Sequence, residues 1–585
     1  MTRLRPLLAL ALALLPASAF AASQPAVEAA NGMVVSSQRL ASEAGVAVLK
    51  AGGNAVDAAV AVGYALAVVN PCCGNIGGGG FMTIHLASGK DTFLNFRETA
   101  PGKATETMYL DADGNPVKGL SIDGYLAAGV PGTVMGLDYA LDHYGTQPRA
   151  AVMAEAIRLA REGFVLGRAD TDILDAKADH LARDPEAGRI FLKADGSRYR
   201  PGDRLTQPDL AATLDLIAKD GPKAFYHGPI AAKVAAASAA NGGLLTTADF
   251  ANYTVAETAP LTCSYRGHVV ASAPPPSSGG TTICEILNIL EGYDLKALGF
   301  RSAASVHLMV EAMRHAYMDR NTYLGDPAFV NNPLDRLLSK SYAADIRKRI
   351  DPAKATPSAA VQPGTPPHEK PETTHYSVVD ADGNAVSVTY TINGAFGAGV
   401  VAPGTGFLLN NEMDDFTVKP GVKNLYGLVQ GKANSIAPGK RPLSSMSPTL
   451  VTKDGKTLLV LGSPGGSRII TITLETILNV VDYGMAPQEA VDAPRIHHQW
   501  LPDTVYTEPF GLSPDTVRIL EAMGHTVTEQ KPWGAAELIQ VGGVGEGQKD
   551  AASSGSDQAH SGKVREGFLY GANDARRPAG AAVGY

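Results

Sequence analysis

Residues Pro371-Glu372-Thr373-Thr374-His375-Tyr376-Ser377-Val378-Val379-Asp380 decide how this chain is read. Before them, from about Asp351 to Pro371, lies a run without hydrophobic periodicity that carries Pro352, Pro357, Pro363, Pro366, Pro367 and Pro371. Proline removes backbone donors and disfavours helix in the residue before it, so no regular structure is expected there. A loop of that length inside a compact domain is functional or disordered. Thr373 to Val379 then reads as a β-strand and Ala385 to Ile392 as its partner. Ala381-Asp382-Gly383 suits a three-residue hairpin connection with Gly383 in the left-handed region. A hairpin centred on Asp382 sets Thr391 opposite Thr373. A pliable segment thus runs into a strand whose first residue is a hydroxyl nucleophile, as a self-cleaving precursor requires.

Length and composition bound the rest. The chain has 585 residues, more than one ordinary core, so two large lobes or two closely packed halves are expected. Its 45% hydrophobic and 18% charged content is globular. The formal net charge is −8, and loss of Arg3 and Arg5 with a leader takes it to −10. An acidic chain without a basic block gives no support for nucleic-acid binding. Arg3 and Arg5, the apolar run Leu7 to Leu15 and the small-residue site Ala19-Phe20-Ala21 read as a secretory signal cut after Ala21, with Ala17-Ser18-Ala19 as a second possible site. No other stretch qualifies as membrane-spanning; Ala55 to Val69 contains Asp57, is too short, and reads as a buried helix. Cys72, Cys73, Cys263 and Cys284 permit three pairings, and the sequence does not choose among them.

In chain order, Ser37 to Ala51 has helical spacing and stops at Gly52-Gly53; Asn54 caps a second helix ending near Asn70-Pro71. The run Gly74-Asn75-Ile76-Gly77-Gly78-Gly79-Gly80 lacks the Gly-Lys-Ser/Thr ending of a nucleotide loop and precedes a strand, so close backbone packing is the expectation. Phe81 to Leu86 and Thr92 to Phe96 read as a hairpin delivering Arg97 at a strand end. Arg149 to Gln362 is mainly helical, with Ala150–Arg161, Gln207–Ala218, Gly228–Ala240 and Ala303–Arg320 periodic at three and four residues. Tyr265 to Ala273 reads as one strand within it. His307 and His315 read as structural, as do His497 and His498. Gly397 to Pro420 is expected to carry a third strand, and Val422 to Lys440 is a glycine-rich loop with Tyr426. Leu450–Thr452 and Thr457–Leu461 pair around Asp454-Gly455, and the second strand enters Gly462-Ser463-Pro464-Gly465-Gly466 with a helix starting near Arg468. A glycine turn at a helix N-terminus offers free N–H groups to an anion. Gly543 to Arg565 reads as a disordered surface insertion.

The central hairpin, together with Leu408-Leu409-Asn410-Asn411-Glu412-Met413-Asp414-Asp415-Phe416, Arg441-Pro442-Leu443-Ser444-Ser445-Met446-Ser447-Pro448-Thr449 and Gly462-Ser463-Pro464-Gly465-Gly466-Ser467-Arg468, resembles the γ-glutamyltransferases (γ-glutamyltranspeptidases) over nearly the whole chain after residue 21. The resemblance implies an α+β fold, the four-layer αββα sandwich of the N-terminal-nucleophile hydrolases. It implies a signal at 1–21, a large chain of residues 22–372 and a small catalytic chain of residues 373–585, cut between Glu372 and Thr373. Thr373 would be the nucleophile, Thr391 its orienting partner, and Gly465 and Gly466 the oxyanion donors. Arg97 with Ser444 and Ser445 would hold the substrate α-carboxylate, while Asn393, Glu412 and Asp415 would hold the α-ammonium. Tyr426 would sit in a lid over the pocket. The implied donors are glutathione and other γ-glutamyl compounds and the acceptors water, amino acids or dipeptides. The implied location is periplasmic or secreted, without a membrane anchor, cofactor or metal. Two rivals remain: a glutaryl or cephalosporin acylase of the same fold, and an exported peptide-binding protein.

Overall fold

Most of the strand-forming, β-branched sequence in this chain builds two seven-stranded sheets, beside a three-stranded and a two-stranded one. The computed structural model describes residues 23–361, 373–544 and 564–585. Residues 1–22, 362–372 and 545–563 lie outside it. With them go the leader, Glu372, the later part of the proline run and most of the Gly543–Arg565 segment.

One seven-stranded sheet runs in the order Ala581–Gly584, Met33–Ser36, Thr374–Val379, Ala385–Thr391, Gly79–His85, Asp91–Phe96 and Ala256–Thr258. The second runs Val27–Ala29, Leu569–Asn573, Glu537–Val541, Lys456–Gly462, Thr449–Lys453, His268–Ser272 and Leu261–Tyr265. Every pairing within the two sheets is antiparallel. The sheets face each other: Ser377 and Ser387 of the first donate to the backbone carbonyls of Glu537 and Leu461 in the second. Helices Arg39–Lys50 and Ala55–Val69 cover the outer face of the first sheet, and Gly279–Leu290 and Ile469–Val481 that of the second. This is the expected αββα sandwich. Strands flanked on both faces read as near-continuous apolar runs, which is why all seven residues of Ala385–Thr391 are buried.

Most local expectations hold. Asn54 caps the second helix, accepting from Val56 and Asp57 while Asp57 reaches back to the Asn54 amide. All fifteen residues of that helix are buried. Among the described residues, no helix is long and apolar enough to cross a membrane. The glycine run 74–80 packs backbone to backbone. A Cβ on Gly77 would overlap the Leu408 carbonyl, one on Gly78 the Thr391 carbonyl, and one on Gly80 the Thr389 carbonyl. The cysteines form two disulfides, Cys72–Cys73 and Cys263–Cys284.

Three expectations fail. Tyr265–Ala273 is not one strand: Arg266 and Gly267 both take positive φ (45° and 77°) and turn the chain between Leu261–Tyr265 and His268–Ser272. Gly397–Pro420 carries no strand, only isolated bridges between Val401 and Leu408 and between Thr417 and Ser435. Gly397, Gly399, Gly404 and Gly406 all have positive φ and break any extended run. Finally, the described part of the proline run is not wholly irregular, because Ser358–Val361 forms a short 3₁₀ turn.

Candidate active site

The hairpin register fixes the site. Thr374 pairs with Tyr390 and Val379 with Ala385, and the same offset sets Thr391 across from Thr373. The turn closes as expected: the Asp380 N–H donates to the Asn384 carbonyl at 3.1 Å and Gly383 adopts φ +91°. Thr374–Val379 is clamped on both edges, by Ala385–Thr391 and by Met33–Ser36. A residue at the head of such a strand has little freedom. Thr373 is 4% exposed and Thr391 3%.

Thr373 opens onto a pocket of about 310 Å³, mouth included, lined also by Arg97, Arg320, Thr391, Asn393, Glu412, Asp415, Tyr426, Ser444, Ser445 and Gly466. Nearly every residue singled out in the sequence therefore meets at one place; Gly465 sits just behind the lining. Each arrives by a local device. Arg97 follows the strand Asp91–Phe96, and its amide is held by the Asn95 side chain at 3.0 Å. Asn393 sits at φ +71°, a region asparagine tolerates, and its N–H donates to Thr391 Oγ1 at 2.8 Å. Glu412–Asp415 is a buried 3₁₀ turn. Acidic loop residues are usually solvated, and these are not.

The strand Lys456–Gly462 leads through Ser463-Pro464-Gly465 into a 3₁₀ turn at Gly466–Arg468 and the helix Ile469–Val481. Gly465 and Gly466 both have positive φ, 146° and 56°. Among the described residues no acceptor takes either N–H. Free amide donors at a helix N-terminus suit an anion, and Gly466 lines the same pocket as Thr373. A Cβ on Gly466 would overlap the Tyr426 ring. The Tyr426 hydroxyl donates to the Asn393 carbonyl at 2.8 Å, so the glycine-rich loop lies down on the pocket, with Leu428, Val429 and Ile436 buried.

The electrostatics depart from the simple expectation in one respect. The Arg97 guanidinium, fully buried, donates to both Glu412 and Asp415, and Glu98 lies 3.5 Å away. Three carboxylates surround one cation. Burial pulls the Arg97 pKa down, but the three acids more than compensate and hold it above its ordinary value. Burial pushes Glu98 up to about 7 and Glu412 well above the carboxylate range, with the Arg97 charge opposing. This side of the pocket holds three acidic groups against one base, and a bound ammonium would supply the charge that draws Glu98 and Glu412 back to carboxylates.

Arg320, which the sequence reading missed, lies in the same pocket. It comes from the helix Ala303–Tyr323, is 1% exposed, and donates to Ser278 Oγ at 2.9 Å, Asn321 Oδ1 at 2.7 Å and Ser445 Oγ at 3.0 Å. Among the described residues, no carboxylate pairs with it within 4 Å. Burial pulls its pKa down to about 10, so the group remains charged at neutral pH. A buried cation with only neutral partners is costly, and a bound anion relieves it. The only sequence signal was one more basic residue in a long helix.

A profile of the gamma-glutamyltranspeptidase family matches residues 41–567. A glutathione hydrolase proenzyme of Pseudomonas sp. strain A14 is 58% identical over 99% of this chain and 99% of its own length. A glutathione hydrolase proenzyme of Escherichia coli strain K12 is 52% identical, covering 89% of this chain and 90% of that one. Among solved structures, a cephalosporin acylase from Bacillus halodurans superposes with a TM-score of 0.82 at 28% identity, covering 98% of this chain and 99% of that one.

Proposed function

The chain belongs to the γ-glutamyltranspeptidase family of N-terminal-nucleophile enzymes, and from that premise we propose that it cleaves the γ-glutamyl bond of glutathione and related compounds. The γ-glutamyl group passes through an ester on Thr373 to water, an amino acid or a short peptide. The observation that carries the reading is the meeting of Thr373, the Gly465-Gly466 turn and a pocket holding both surplus acid and an uncompensated guanidinium. That pairing of charges fits the zwitterionic end of a γ-glutamyl donor.

In the precursor, the Thr373 hydroxyl attacks the Glu372 carbonyl; the peptide bond becomes an ester and water hydrolyses it. This releases residues 22–372 and 373–585 as two chains and leaves Thr373 with a free α-amine. An α-amine has an ordinary pKa of about 7.7–8.0, so near neutrality it can accept the hydroxyl proton with no histidine involved. The Thr373 oxygen then attacks the γ-carbonyl, and the oxyanion is received by the N–H groups of Gly465 and Gly466. One such donor lowers the barrier by roughly 2.7–4 kcal/mol. The amine returns its proton to the leaving nitrogen, and water or an acceptor amine resolves the ester by the reverse path. Asn393, Glu412 and Asp415 take the donor ammonium; Ser444, Ser445 and Arg320 face its carboxylate, with Arg97 ordering the acids between them. The basic, apolar leader at 1–21 supports export, so the enzyme acts outside the cytoplasm.

The acylase likeness keeps a second reading alive, hydrolysis of glutaryl amides on the same scaffold. A glutaryl group has no ammonium, and the surplus acid around Arg97 then has no counterpart.

The deciding experiment is a denaturing gel with N-terminal sequencing of both bands. Wild type gives two bands, the smaller beginning at Thr373, and Thr373→Ala gives one inactive band. A cleaved Thr373→Ala protein, or a new terminus elsewhere, removes the mechanism.

A further inference from the structure

Far from the pocket, His307, Glu311 and His525 bring one ligand atom each to within 4.8 Å of one another. His307 and Glu311 stand four residues apart on one face of the helix Ala303–Tyr323, and His525 lies in the turn between the helix Pro514–Ala522 and the strand Val527–Glu529. None of the three is more than 6% exposed.

The hydrogen bonds define which atoms are available. His307 Nε2 lies 2.8 Å from the Asp351 carbonyl, which only accepts, so Nε2 carries the proton and Nδ1 keeps its lone pair. Donation of the second ring nitrogen to a backbone carbonyl is the arrangement that orients metal-bound histidines. His307 Nδ1 lies 2.8 Å from His525 Nε2, which must therefore supply the proton between them. His525 Nδ1 is then left bare, and it has no hydrogen-bond partner. Glu311 Oε1 accepts from the Thr356 amide at 3.1 Å and from Arg314 Nε at 3.3 Å, whereas its Oε2 is buried without a partner. Glu311 Oε2, a buried carboxylate oxygen without a partner beside the histidine pair, needs an explanation.

We propose that His307, Glu311 and His525 form a binding site for a divalent first-row transition metal, zinc above all. Two imidazoles and a carboxylate suit zinc, with water as the fourth ligand. At bonds of about 2.0–2.1 Å, neighbouring ligands of a tetrahedral ion stand roughly 3.4 Å apart. The histidine pair, at 2.8 Å, sits inside that spacing and the set as a whole reaches 4.8 Å, so side-chain torsions must adjust for the site to close on an ion. On binding, the proton on His525 Nε2 moves to Nδ1; this is a tautomer exchange that releases no net proton. Arg314, the cation beside the site, is also paired with Asp503, so Glu311 is not its sole counter-ion.

The site has a structural consequence. His307 and Glu311 precede Thr373 in the chain and His525 follows it. The segment Asp351–Ser358, just ahead of residues 362–372, is tied to the same cluster through the Asp351 carbonyl, the Thr356 amide and the pairing of the Ala355 amide with the Met523 carbonyl at 2.7 Å. The metal clamps together the two parts of the molecule that processing would separate. It touches neither the nucleophile nor the pocket.

The test uses the full-length protein, stripped with a chelator and titrated with Zn²⁺ and, separately, Co²⁺. One equivalent is expected to bind, with the intense visible absorption of four-coordinate Co²⁺. Zinc should raise the thermal midpoint of the protein and leave kcat unchanged. His525→Gln and Glu311→Gln should each lose the absorption and the thermal shift; Glu311→Gln keeps the shape and an acceptor for Thr356, so it guards against a folding failure. A thermal shift of equal size in both variants, or no bound equivalent in wild type, overturns the proposal. Neither result depends on which donor the enzyme uses.

Discussion

Replacing Arg320 with glutamine removes the one pocket cation that lacks an acidic partner among the described residues. Glutamine retains a donor for Ser445 or Ser278, so the change is chiefly one of charge. If the donor α-carboxylate is bound against this guanidinium, its loss deprives a desolvated anion of its partner. Such truncations cost about 2–5 kcal/mol, which at about 1.4 kcal/mol per tenfold is roughly 30-fold to several thousand-fold in kcat/KM. Stability should move the other way or not at all, because burial pulls the Arg320 pKa down to about 10 and the folded protein is relieved of a desolvated charge. Three anilides separate the contributions: γ-glutamyl, glutaryl (carboxylate, no ammonium) and 4-aminobutyryl (ammonium, no carboxylate). Arg320→Gln should depress turnover of the first two and spare the third. An equal fall on all three, or a lowered thermal midpoint, would mean that Arg320 only braces Ser278 and Ser445.

Asp415→Asn should give the complementary pattern, a large fall on γ-glutamyl and 4-aminobutyryl anilides and little on glutaryl anilide; equal losses would make Asp415 a mere partner of Arg97. Stability should fall as pH drops below about 6.5, because burial holds His315 and His498 down to about 4 and His375 to about 3. Across that range the unfolded chain binds more protons than the folded one, so their stabilising contribution is complete above about 6.5 and is lost toward pH 4. Buried carboxyls that are held up, Glu98, Glu285, Glu412, Asp414 and Glu537 among them, act in the opposite sense, against lowered histidines that also include His180, His268, His497 and His525. Thermal midpoints measured from pH 8 to pH 4 check the sign, and a flat profile refutes it.

How much of this was legible depends on how far apart in sequence the determining residues lie. The hairpin register followed from a two-residue period and one glycine, both local, and it came out as read. Arg97 at a strand end and the Gly465-Gly466 turn were equally local. Tyr265–Ala273 was misread because its β-branched run hid a two-residue Arg-Gly turn. Arg320 stands 125 residues from Ser445, and nothing in its helical neighbourhood distinguishes it from a surface arginine; only the packing of that helix against the Ser444-Ser445 loop gives it a role. His307 was set aside although Glu311 follows it at helical spacing, because the third member, His525, lies 218 residues on. The cysteine pairing was open for the same reason, since spacing carries no distance.

The same fold carries γ-glutamyltranspeptidases and a cephalosporin acylase, and in the proposed mechanism chemistry and recognition are built on different segments. Thr391 lies in one sheet, Thr373 heads the neighbouring strand and the Gly465-Gly466 turn links the other sheet to a helix, and in the proposed mechanism they address only the scissile carbonyl. The end group, in the same proposal, is addressed by Arg97, the Glu412–Asp415 turn, the Ser444-Ser445 loop and Arg320, none of which is part of a strand. Substitutions in those segments can exchange one acyl end group for another without disturbing the nucleophile. The cost lies in stability: Arg97, Glu98, Glu412 and Arg320 are all at most 1% exposed, and buried charge is retained only against a desolvation penalty. A binding site for a neutral acyl chain would not need that arrangement. Its presence here favours a donor that brings one charge of each sign, with the ammonium met by the acids around Arg97 and the carboxylate by Arg320.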